Sequence, residues 1–393
     1  MSNRIGVPEK IRTRLWVLAG GRCQYEGCND VLWRDELTMA AMNAANIAHI
    51  IDVNRQTHRY DPDLSPRLAA DLCNLMLLCD KHHRLIDHEE EREHTVDRLT
   101  RMKREHEQRI ELVTSIQADK KSHVLLYGAN IGQHAAPLSW QRAAQAMVPR
   151  WYPAESRAIE IGLRNSAFQD DEPQYWAIER QNLHANMTTS LYPRIIAGTV
   201  EHLSIFAFAP QPLLMELGRL LSDIPAAEVY QLHREPPDWK WQDSTETFEF
   251  IIEEPDIKHS TVALNLSLSA AIDNARITTV MPQEELSIWR MTVPIPNNDF
   301  LKSREQLQVF RRQFRLLMDR IKACHGQNAT LHVFPAVPVS VAVEIGRVWM
   351  PKADLPLCIY DQNRQNGGFT YALTIPYQPR IRGGNTDDDT RTS

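Results

Sequence analysis

The chain has 393 residues, which is long enough for two or three domains that each bury a core. Its hydrophobic content of 43% and charged content of 24% are typical of a soluble globular protein. The overall net charge of −6 is uninformative by itself, but residues 1–120 carry 18 Lys and Arg against 20 Asp and Glu, a net of −2, which argues against strong DNA binding by a single copy. No run of about 18 apolar residues marks a membrane-spanning helix, and the chain starts without the apolar core of an export signal. We therefore expect a cytoplasmic protein without membrane contact.

The first 120 residues alternate between polar loops and short apolar segments. The predicted elements are, in chain order, a helix over 8–19 ended by Gly20-Gly21, an irregular segment over 36–46, a strand over 46–51, a loop over 54–68, an apolar segment over 70–79, a helix from Asp80 or Lys81, and a long helix over 95–118 capped by Thr95. A mostly polar junction over 112–122 separates this part from the rest of the chain.

Four of the six cysteines precede residue 80, and without an export signal such clustering indicates metal binding rather than disulfides. Cys23 and Cys28 are spaced like a zinc hairpin, and Cys79 and His82 like two ligands on a tight turn. Three thiolates and one imidazole form a closed set that is typical of structural Zn²⁺. We interpret Cys73 as a buried small hydrophobic residue. The alternative is that the four residues are placed by coincidence.

Two histidines outside this set have the features of a catalytic pair. His49 lies among apolar neighbours in a predicted strand, and His83 lies at the start of a predicted helix. A neutral imidazole can take a proton from water near neutral pH, and a divalent ion can stabilise the charge on an attacked phosphate. Asn74 could orient a histidine through a hydrogen bond. The alternative is that His49 is a core histidine and His83 a surface one.

The motifs of this region follow one another in a characteristic order. That order is the pair Cys23 and Cys28, then Ala48-His49-Ile50, Asn74, Cys79-x-x-His82-His83 and Ile86-Asp87, all within residues 10–110. It resembles an HNH endonuclease of the zinc-containing ββα-metal type. The resemblance implies an α+β fold over residues 1–115 and hydrolysis of phosphodiester bonds in double-stranded DNA.

The resemblance also implies roles for single residues. His49 matches the general base, Asn74 the middle asparagine, and His83 the ligand of a catalytic ion such as Mg²⁺. The positions that bind structural Zn²⁺ match Cys23, Cys28, Cys79 and His82, with His82 standing where a cysteine is more usual.

One position departs from the HNH pattern. Many of these sequences carry Asp or His just before the general base as a second metal ligand, and this chain has Ala48 there. Asp87 lies one helical turn after His83 and could either bind the ion or orient His83. Asn46 is a weaker candidate. Activity is compatible with Ala48, because Mg²⁺ keeps several waters and needs few protein ligands.

Beyond a linker over 116–122, strand-like apolar runs alternate with helical segments, which argues for a layered α/β fold. The predicted elements are a strand over 123–128, a helix over 139–148, strands over 203–208 and 228–232 around a helix over 212–222, strands over 248–252, 262–268 and 288–293, and a helix over 301–324. Residues 165–200 are rich in Asn, Asp and Gln and receive no assignment. Residues 383–393 are predicted to be a flexible tail.

Five identities recur in this part of the chain at a constant separation of 128 residues. The pairs are Phe206 with Phe334, Pro210 with Pro338, Glu216 with Glu344, Gly218 with Gly346 and Arg219 with Arg347. Each copy is predicted as a strand, a proline-bearing turn and a helix, which indicates an internal duplication. Two such turns facing each other would offer backbone N–H groups to one ligand with two phosphates and pseudo-twofold symmetry. The alternative is that the prolines merely start helices.

Side chains near these turns are candidate ligand contacts. The candidates are Trp151, Pro210, Gln211, Arg234, Trp239, Lys240, Pro338 and Ser340. Tryptophan rings can stack on bases, and neighbouring cations can meet phosphates. Gln211 and Ser340 could donate hydrogen bonds. Each tryptophan could equally belong to a core or an interface.

The stretches Phe-Ala-Pro-x-Pro…Glu-Leu-Gly-Arg and Phe-Pro-Ala-Val-Pro…Glu-Ile-Gly-Arg resemble those of a SAVED domain. The resemblance implies two fused CARF-like, Rossmann-like halves over 123–382 that sense a cyclic dinucleotide. An HNH nuclease followed by SAVED is the layout of an effector of CBASS, the bacterial anti-phage system based on cyclic nucleotides. The resemblance therefore implies that ligand binding drives homo-oligomerisation and switches on DNA degradation.

Two other functions are compatible with the sequence. The chain could be a modification-dependent restriction endonuclease whose C-terminal half recognises altered DNA. It could also be a non-catalytic, zinc-stapled DNA-binding protein in which Ala48 marks a lost metal site. Cleavage that requires modified bases would identify the first, and saturable DNA binding without nicking would identify the second.

Overall fold

A computed structural model describes residues 6–35, 37–89, 91–131, 137–162, 168–170, 172, 174–222, 225–244, 248–282, 284–363 and 368–376. The flexible tail predicted over 383–393 lies outside these residues. The chain divides into two compact units, Met1–Ala118 and Asp119–Ser393. Within the described ranges, no helix has the length and apolar character needed to cross a membrane.

The first unit is built on one antiparallel pair of strands. Its main elements are α1 (Glu9–Leu18), β1 (Ala45–His49), α2 (Leu64–Leu68), β2 (Leu75–Cys79), α3 (Asp80–Arg84), a π-helical turn over Leu85–Glu89, and α4 (Val96–Thr114). In the pairing of β1 with β2, His49 lies opposite Leu75. The core is formed by buried apolar side chains that include Leu15, Leu32, Leu77, Ile86, Leu99 and Met102.

Local signals explain most element boundaries of this unit. As predicted, α1 stops before two glycines with positive φ, and Thr95 caps α4 by accepting the Arg98 N–H group. The loop predicted over 54–68 is wrong in its second half, where α2 forms. The Asp61 carboxylate accepts N–H groups of the residues that begin α2, and Pro66 lies in the first turn, where no intrahelical donor is required.

The second unit contains two sheets. Its strands are β3 (Lys121–Gly128), β4 (Tyr152–Pro153), β5 (Ile159–Ile161), β6 (His202–Phe208), β7 (Ala226–Val229), β8 (Ile251–Glu253), β9 (Thr261–Ser267), β10 (Leu286–Thr292), β11 (Leu331–Ala336), β12 (Leu357–Asn363) and β13 (Gly368–Ile375). Its helices are α5 (Trp140–Met147), α6 (Tyr175–Asn186), α7 (Tyr192–Ile196), α8 (Gln211–Leu221), α9 (Asn274–Val280), α10 (Arg304–His325) and α11 (Val339–Val348). Strand β3 begins inside the predicted linker, because Lys121 and Ser122 pair with β4.

The two sheets repeat one arrangement. In the first sheet β3 lies between β5 and β6, and β7 follows β6. In the second sheet β9 lies between β10 and β11, and β12 follows β11. All of these pairings are parallel. The predicted duplication is therefore confirmed, with β6–α8 and β11–α11 as its corresponding copies.

Helices α8 and α11 pack against each other at the repeated glycines. A Cβ atom on Gly218 would lie 1.9 Å from the carbonyl oxygen of Val343, and one on Gly346 would lie 1.9 Å from that of Met215. No side chain fits in that space, so glycine is required in both copies for the two backbones to touch. This contact brings the N-terminal ends of the helices and the turns before them to one place.

A buried glutamate accompanies the glycine in each copy. Glu216 accepts hydrogen bonds from Arg219, Arg180 and His184, and Glu344 is ion-paired with Arg347. Burial alone would raise the pKa of Glu216, but the bonds from Arg219 and His184 and the charge of Arg180 together lower it to about 2. Both carboxylates thereby stay compensated inside the helix interface.

Candidate functional sites

The four predicted zinc ligands come together in the first unit. The ligand atoms of Cys23, Cys28, Cys79 and His82 all lie within 4.8 Å of one another. Nδ1 of His82 is 3.1 Å from the sulfur of Cys79 and 3.7 Å from that of Cys23. Bonds of about 2.3 Å to sulfur and 2.0 Å to nitrogen would place the ligands of a tetrahedral ion roughly 3.5–3.8 Å apart. The donor set and its dimensions therefore fit Zn²⁺.

Neighbouring aromatic and helical structure orients the imidazole of this cluster. Cys79 ends β2, and His82 follows within the first turn of α3. The ring of Tyr25, from the turn over 23–28, stacks on the His82 ring with centroids 4.1 Å apart and planes 4° apart. The Tyr25 hydroxyl lies 3.0 Å from Nε2 of His94. The stacked ring and its anchor thus hold His82 with Nδ1 towards the sulfur atoms.

Burial sets the protonation of the cluster. It raises the pKa of the Cys23 thiol to about 11 and also raises that of Cys28. Burial, and then the charge of Lys81, lower the pKa of His82. Without a cation the Cys23 and Cys28 thiols are therefore protonated and the His82 imidazole is neutral at pH 7. A divalent ion would displace the thiol protons, and neutral His82 is already in the form that binds metal.

Asn74 acts on the main chain near His49. Its Oδ1 accepts the N–H of Ile51 at 2.7 Å, and its Nδ2 donates to the carbonyl groups of Ile51 and Leu68 at 2.9 and 3.3 Å. Asn74 thus holds the main chain two residues beyond His49, whereas the sequence suggests a hydrogen bond from Asn74 to a histidine. The 3₁₀ turn that buries Asn74 leaves Cys73 exposed, so the prediction of a buried Cys73 is wrong.

His49 is the last residue of β1, and its ring is tied to the segment after α2. Nε2 of His49 lies 3.0 Å from the carbonyl oxygen of Ala69. A carbonyl oxygen can only accept a hydrogen bond, so the neutral ring carries its proton on Nε2. Nδ1 is then unprotonated, which is the state that a general base requires.

A buried arginine joins the segments that carry His49 and His83. Arg59 donates to the carbonyl oxygen of His49 at 2.6 Å and to Oδ1 of Asp87 at 2.7 Å. Oδ2 of Asp87 lies 3.5 Å from Nε2 of His83, and α3 contacts β1. Imidazole nitrogen and carboxylate oxygen next to each other suit a divalent ion, with Asp87 held by Arg59. Sequence reasoning missed Arg59, because one arginine in a polar loop carries no spacing signal.

The second unit encloses a cavity of about 750 Å³ where the two repeated turns meet. Its wall includes residues 208–211 of the first copy and 336–339 of the second. Among the predicted contacts, Pro210, Gln211, Pro338 and Arg234 line this cavity. A volume of this size is within the range of small-ligand sites.

Part of the second unit matches a known protein family. Residues 187–375 match the SAVED family, described as the SMODS-associated and fused to various effectors sensor domain. Residues 187–375 are a SAVED domain. The match contains both repeated turns and begins after the last residue of the first unit. No curated protein shows a significant sequence match to the chain.

The solved structures that resemble this chain share little sequence identity with it. The Acinetobacter baumannii Cap4 SAVED/CARF-domain receptor with the cyclic trinucleotide 2'3'3'-cAAA is 14% identical, with a TM-score of 0.42 over 80% of this chain and 67% of that one. The same receptor with 3'3'3'-cAAA is 12% identical, with a TM-score of 0.40 over 71% and 60%. The Moraxella osloensis receptor is 12% identical, with a TM-score of 0.36 over 71% and 60%. The matches thus span about three fifths to two thirds of those chains.

Two predicted contacts of the SAVED domain lie away from the cavity on the segment 239–240. Trp239 is 1% exposed, and its ring packs edge-to-face on Phe206 with centroids 5.4 Å apart. Lys240 is exposed and is not among the described residues that line the cavity. Trp239 is therefore a core residue in this structure, which was the alternative for each tryptophan.

Ser340 and Trp151 also lie outside the cavity wall. Ser340 is fully buried, and both its N–H group and its hydroxyl donate to Oε1 of Gln231. Trp151 lines a separate cavity of about 250 Å³, where it stacks on His202 and donates to Glu228. The tertiary packing, not the local sequence, decides these positions.

In the second repeated turn, over 336–339, and at Ser340 after it, side chains of the protein accept hydrogen bonds from backbone N–H groups. The sequence predicts that such N–H groups face a phosphate. Oε1 of Gln211 accepts the N–H of Val337 at 3.2 Å, and Gln231 accepts that of Ser340 at 3.2 Å. Both glutamines also line the cavity. A phosphate at this turn would therefore have to displace a glutamine side chain. Gln231 was missed, because its role depends on a contact with a residue 109 positions away.

Proposed function

We propose that this chain is a metal-dependent DNA endonuclease of CBASS anti-phage defence, controlled by a cyclic oligonucleotide that binds its SAVED domain. The observation that carries the sensing half is the cavity between the two repeated turns, most of whose lining residues belong to the region that matches a family of sensor domains. The duplicated wall suits a ligand that presents similar groups twice, as a cyclic dinucleotide does. Cyclic trinucleotides, which the Acinetobacter receptor structures hold, belong to the same chemical class.

The nuclease half rests on the arrangement of His49, Asn74 and His83. His49, with its proton on Nε2, would take a proton from the attacking water at Nδ1. Asn74 and Arg59 would keep the end of β1 in place during that step. His83, with Asp87 beside it, would hold a divalent ion such as Mg²⁺, which supplies charge stabilisation at the attacked phosphate. The order of these residues resembles that of HNH endonucleases, which supports the assignment.

The four zinc ligands would stabilise the fold and take no part in the reaction. Zn²⁺ held by three thiolates and His82 has no open position for substrate. It would connect the turn over 23–28 to the junction of β2 and α3, directly before His83. The proposed zinc site thus positions the proposed catalytic helix.

The negative net charge of the chain favours activation by assembly of several copies. A chain with a net charge of −6 would bind DNA weakly as a single copy. Several copies joined by ligand-driven oligomerisation would engage one duplex together and gain by multivalency. Cleavage by the assembled form would then have low sequence specificity.

Plasmid degradation tests the proposal. Unmodified and base-modified double-stranded plasmids are incubated separately with the full chain and Mg²⁺, with and without members of a panel of cyclic di- and trinucleotides. We expect degradation that depends on one class of cyclic nucleotide. Cleavage only of modified DNA would support a restriction enzyme, and saturable DNA binding without nicking under any divalent ion would support a non-catalytic binding protein.

A further inference from the structure

The ligand cavity contains carboxyl groups, which are unexpected in a site for an anionic ligand. Asp170 and Asp361 both line its wall, together with Arg142 and Arg234. Burial, and then the charge of Asp170, raise the pKa of Asp361 to about 7. A phosphate placed against these two carboxyl groups would meet like charge. This part of the wall therefore suits a part of the ligand that donates hydrogen bonds.

A buried histidine of the same cavity has hydrogen-bonding capacity that the protein does not use. His233 is 1% exposed and lines the cavity. Neither of its ring nitrogens has a hydrogen-bond partner among the described residues, and Oδ1 of Asp299 is 3.9 Å from Nδ1. Burial lowers the pKa of His233, so the neutral ring offers one donor and one acceptor. Both nitrogens are inaccessible in the ligand-free chain, so a ligand would reach them only after the ring rotates towards the cavity. Polar groups buried in this way are normally satisfied, which favours that rotation when a partner binds.

The edges of nucleobases carry groups that are complementary to Asp361 and His233. These groups are N–H donors and ring-nitrogen acceptors, and the bases bear no charge, whereas the phosphates of the same ligand are anionic. We propose that Asp361 and His233 recognise nucleobase edges of the ligand, while its phosphates lie towards Arg142 and Arg234. This inference rests on the proposed ligand class and assigns the base-recognising residues within it.

The chemistry of Asp361 further specifies the base. Above its pKa of about 7, Asp361 is an ionised carboxylate that accepts two neighbouring N–H donors, which guanine offers at N1 and its 2-amino group. Adenine offers one N–H donor next to a ring-nitrogen acceptor, which a side-chain amide or a protonated carboxyl matches and an ionised carboxylate does not. Ionised Asp361 therefore favours a guanine-containing ligand over one that contains adenine alone. Asp361→Asn should reverse this preference.

Calorimetry with the full chain, at a pH well above the Asp361 pKa of about 7, tests the assignment with cyclic di-GMP, cyclic di-AMP and cyclic GMP–AMP as probes. For Asp361→Asn we expect a loss of roughly tenfold or more in affinity for the guanine ligands relative to cyclic di-AMP. Asn298→Ala, at another residue of the cavity wall, is the matched control and should change the affinities for all probes by similar factors. Equal loss for all probes in Asp361→Asn, or no change, would overturn the inference while leaving the ligand class intact. Failure of every cyclic nucleotide to bind the wild-type chain would instead overturn the proposed function and this inference with it.

A second variant separates recognition from folding. His233→Leu removes a buried ring whose nitrogens lack partners, so the thermal stability of the ligand-free chain should not fall. Its affinity for the best ligand should fall roughly tenfold, and His233→Gln, which restores one donor and one acceptor, should recover part of it. Unchanged affinity in His233→Leu, or parallel losses of stability and affinity, would contradict a ligand contact.

Discussion

The two units of this chain hold their sites in place by different means. In the first unit, single polar contacts do this: the cysteine and histidine cluster, Asn74 on the chain beyond His49, and Arg59 between β1 and Asp87. In the second unit, the cavity wall is formed where two packed helices begin, and the contact of Gly218 and Gly346 sets their approach.

The two units should differ in how well they tolerate mutation. A small core stapled by a few polar groups fails when one of those groups is lost, because each is a large share of the total stability. A cavity built on a wide backbone interface tolerates changes of its lining, but it does not tolerate changes in the spacing of the helices. Perturbations of the two units should therefore have separate effects.

The largest effect is expected at His49. His49→Ala should lower ligand-activated DNA cleavage by roughly 10²–10⁴-fold, because the general base is removed. Affinity for the cyclic nucleotide should stay unchanged in calorimetry, since the cavity lies in the other unit. His58→Ala, at a histidine bonded to Glu91 in the same unit, is the control and should cleave normally. Retained cleavage in His49→Ala would exclude His49 as the base.

Removal of a sulfur ligand should unfold the first unit selectively. Cys79→Ser removes one of the four ligands, so the zinc content, measured by plasma mass spectrometry, should fall below one ion per chain. Structural zinc contributes on the order of 10 kcal/mol to the folding of such domains, so its loss should unfold the first unit. Hydrogen exchange should rise throughout Met1–Ala118 and stay unchanged in Asp119–Ser393. Exposed Cys73 provides the control, and Cys73→Ser should keep the zinc. Equal metal content in both variants would refute the assigned ligands.

A methyl group at the helix contact should affect the opposite unit. Gly218→Ala should destabilise the second unit by about 3 kcal/mol, because its Cβ would lie 1.9 Å from a carbonyl oxygen and the backbones would have to separate. Gly368→Ala is the control, since nothing lies within 4 Å of the added atom. Thermal unfolding followed by tryptophan fluorescence checks both. If the two variants melt alike, the close helix contact is wrong.

A smaller, pH-dependent effect is expected at Glu216. Its pKa is about 2 in the folded chain against an ordinary value of 4.5, so its contribution to stability is present above pH 4.5 and is lost as the pH falls towards 2. Glu216→Gln should flatten this part of the profile in denaturant titrations between pH 5 and 3. An unaltered slope would show that the buried network does not control acid stability.

Sequence could predict the residues whose partners are near in the chain or fixed by a repeat. Cys79 and His82 lie three positions apart, and the glycines of the two copies recur at one separation, so both patterns are visible before folding. Arg59, His233 and Asp361 could not be predicted, because their roles depend on what a distant segment places beside them. Trp239 shows the converse error, since it was a candidate ligand contact, yet Trp239 and Trp241 both pack into the core and only Lys240 between them is exposed.

We propose above all a regulatory link, in which occupancy of the SAVED cavity controls hydrolysis at His49. Its most direct test is to measure the DNA cleavage rate and ligand occupancy of the full chain in Mg²⁺ over one titration with the tightest cyclic nucleotide. We predict that cleavage is near zero without ligand and rises with occupancy, and that His49→Ala binds the ligand equally but stays inactive. Cleavage at the same rate with and without bound ligand would contradict the claim.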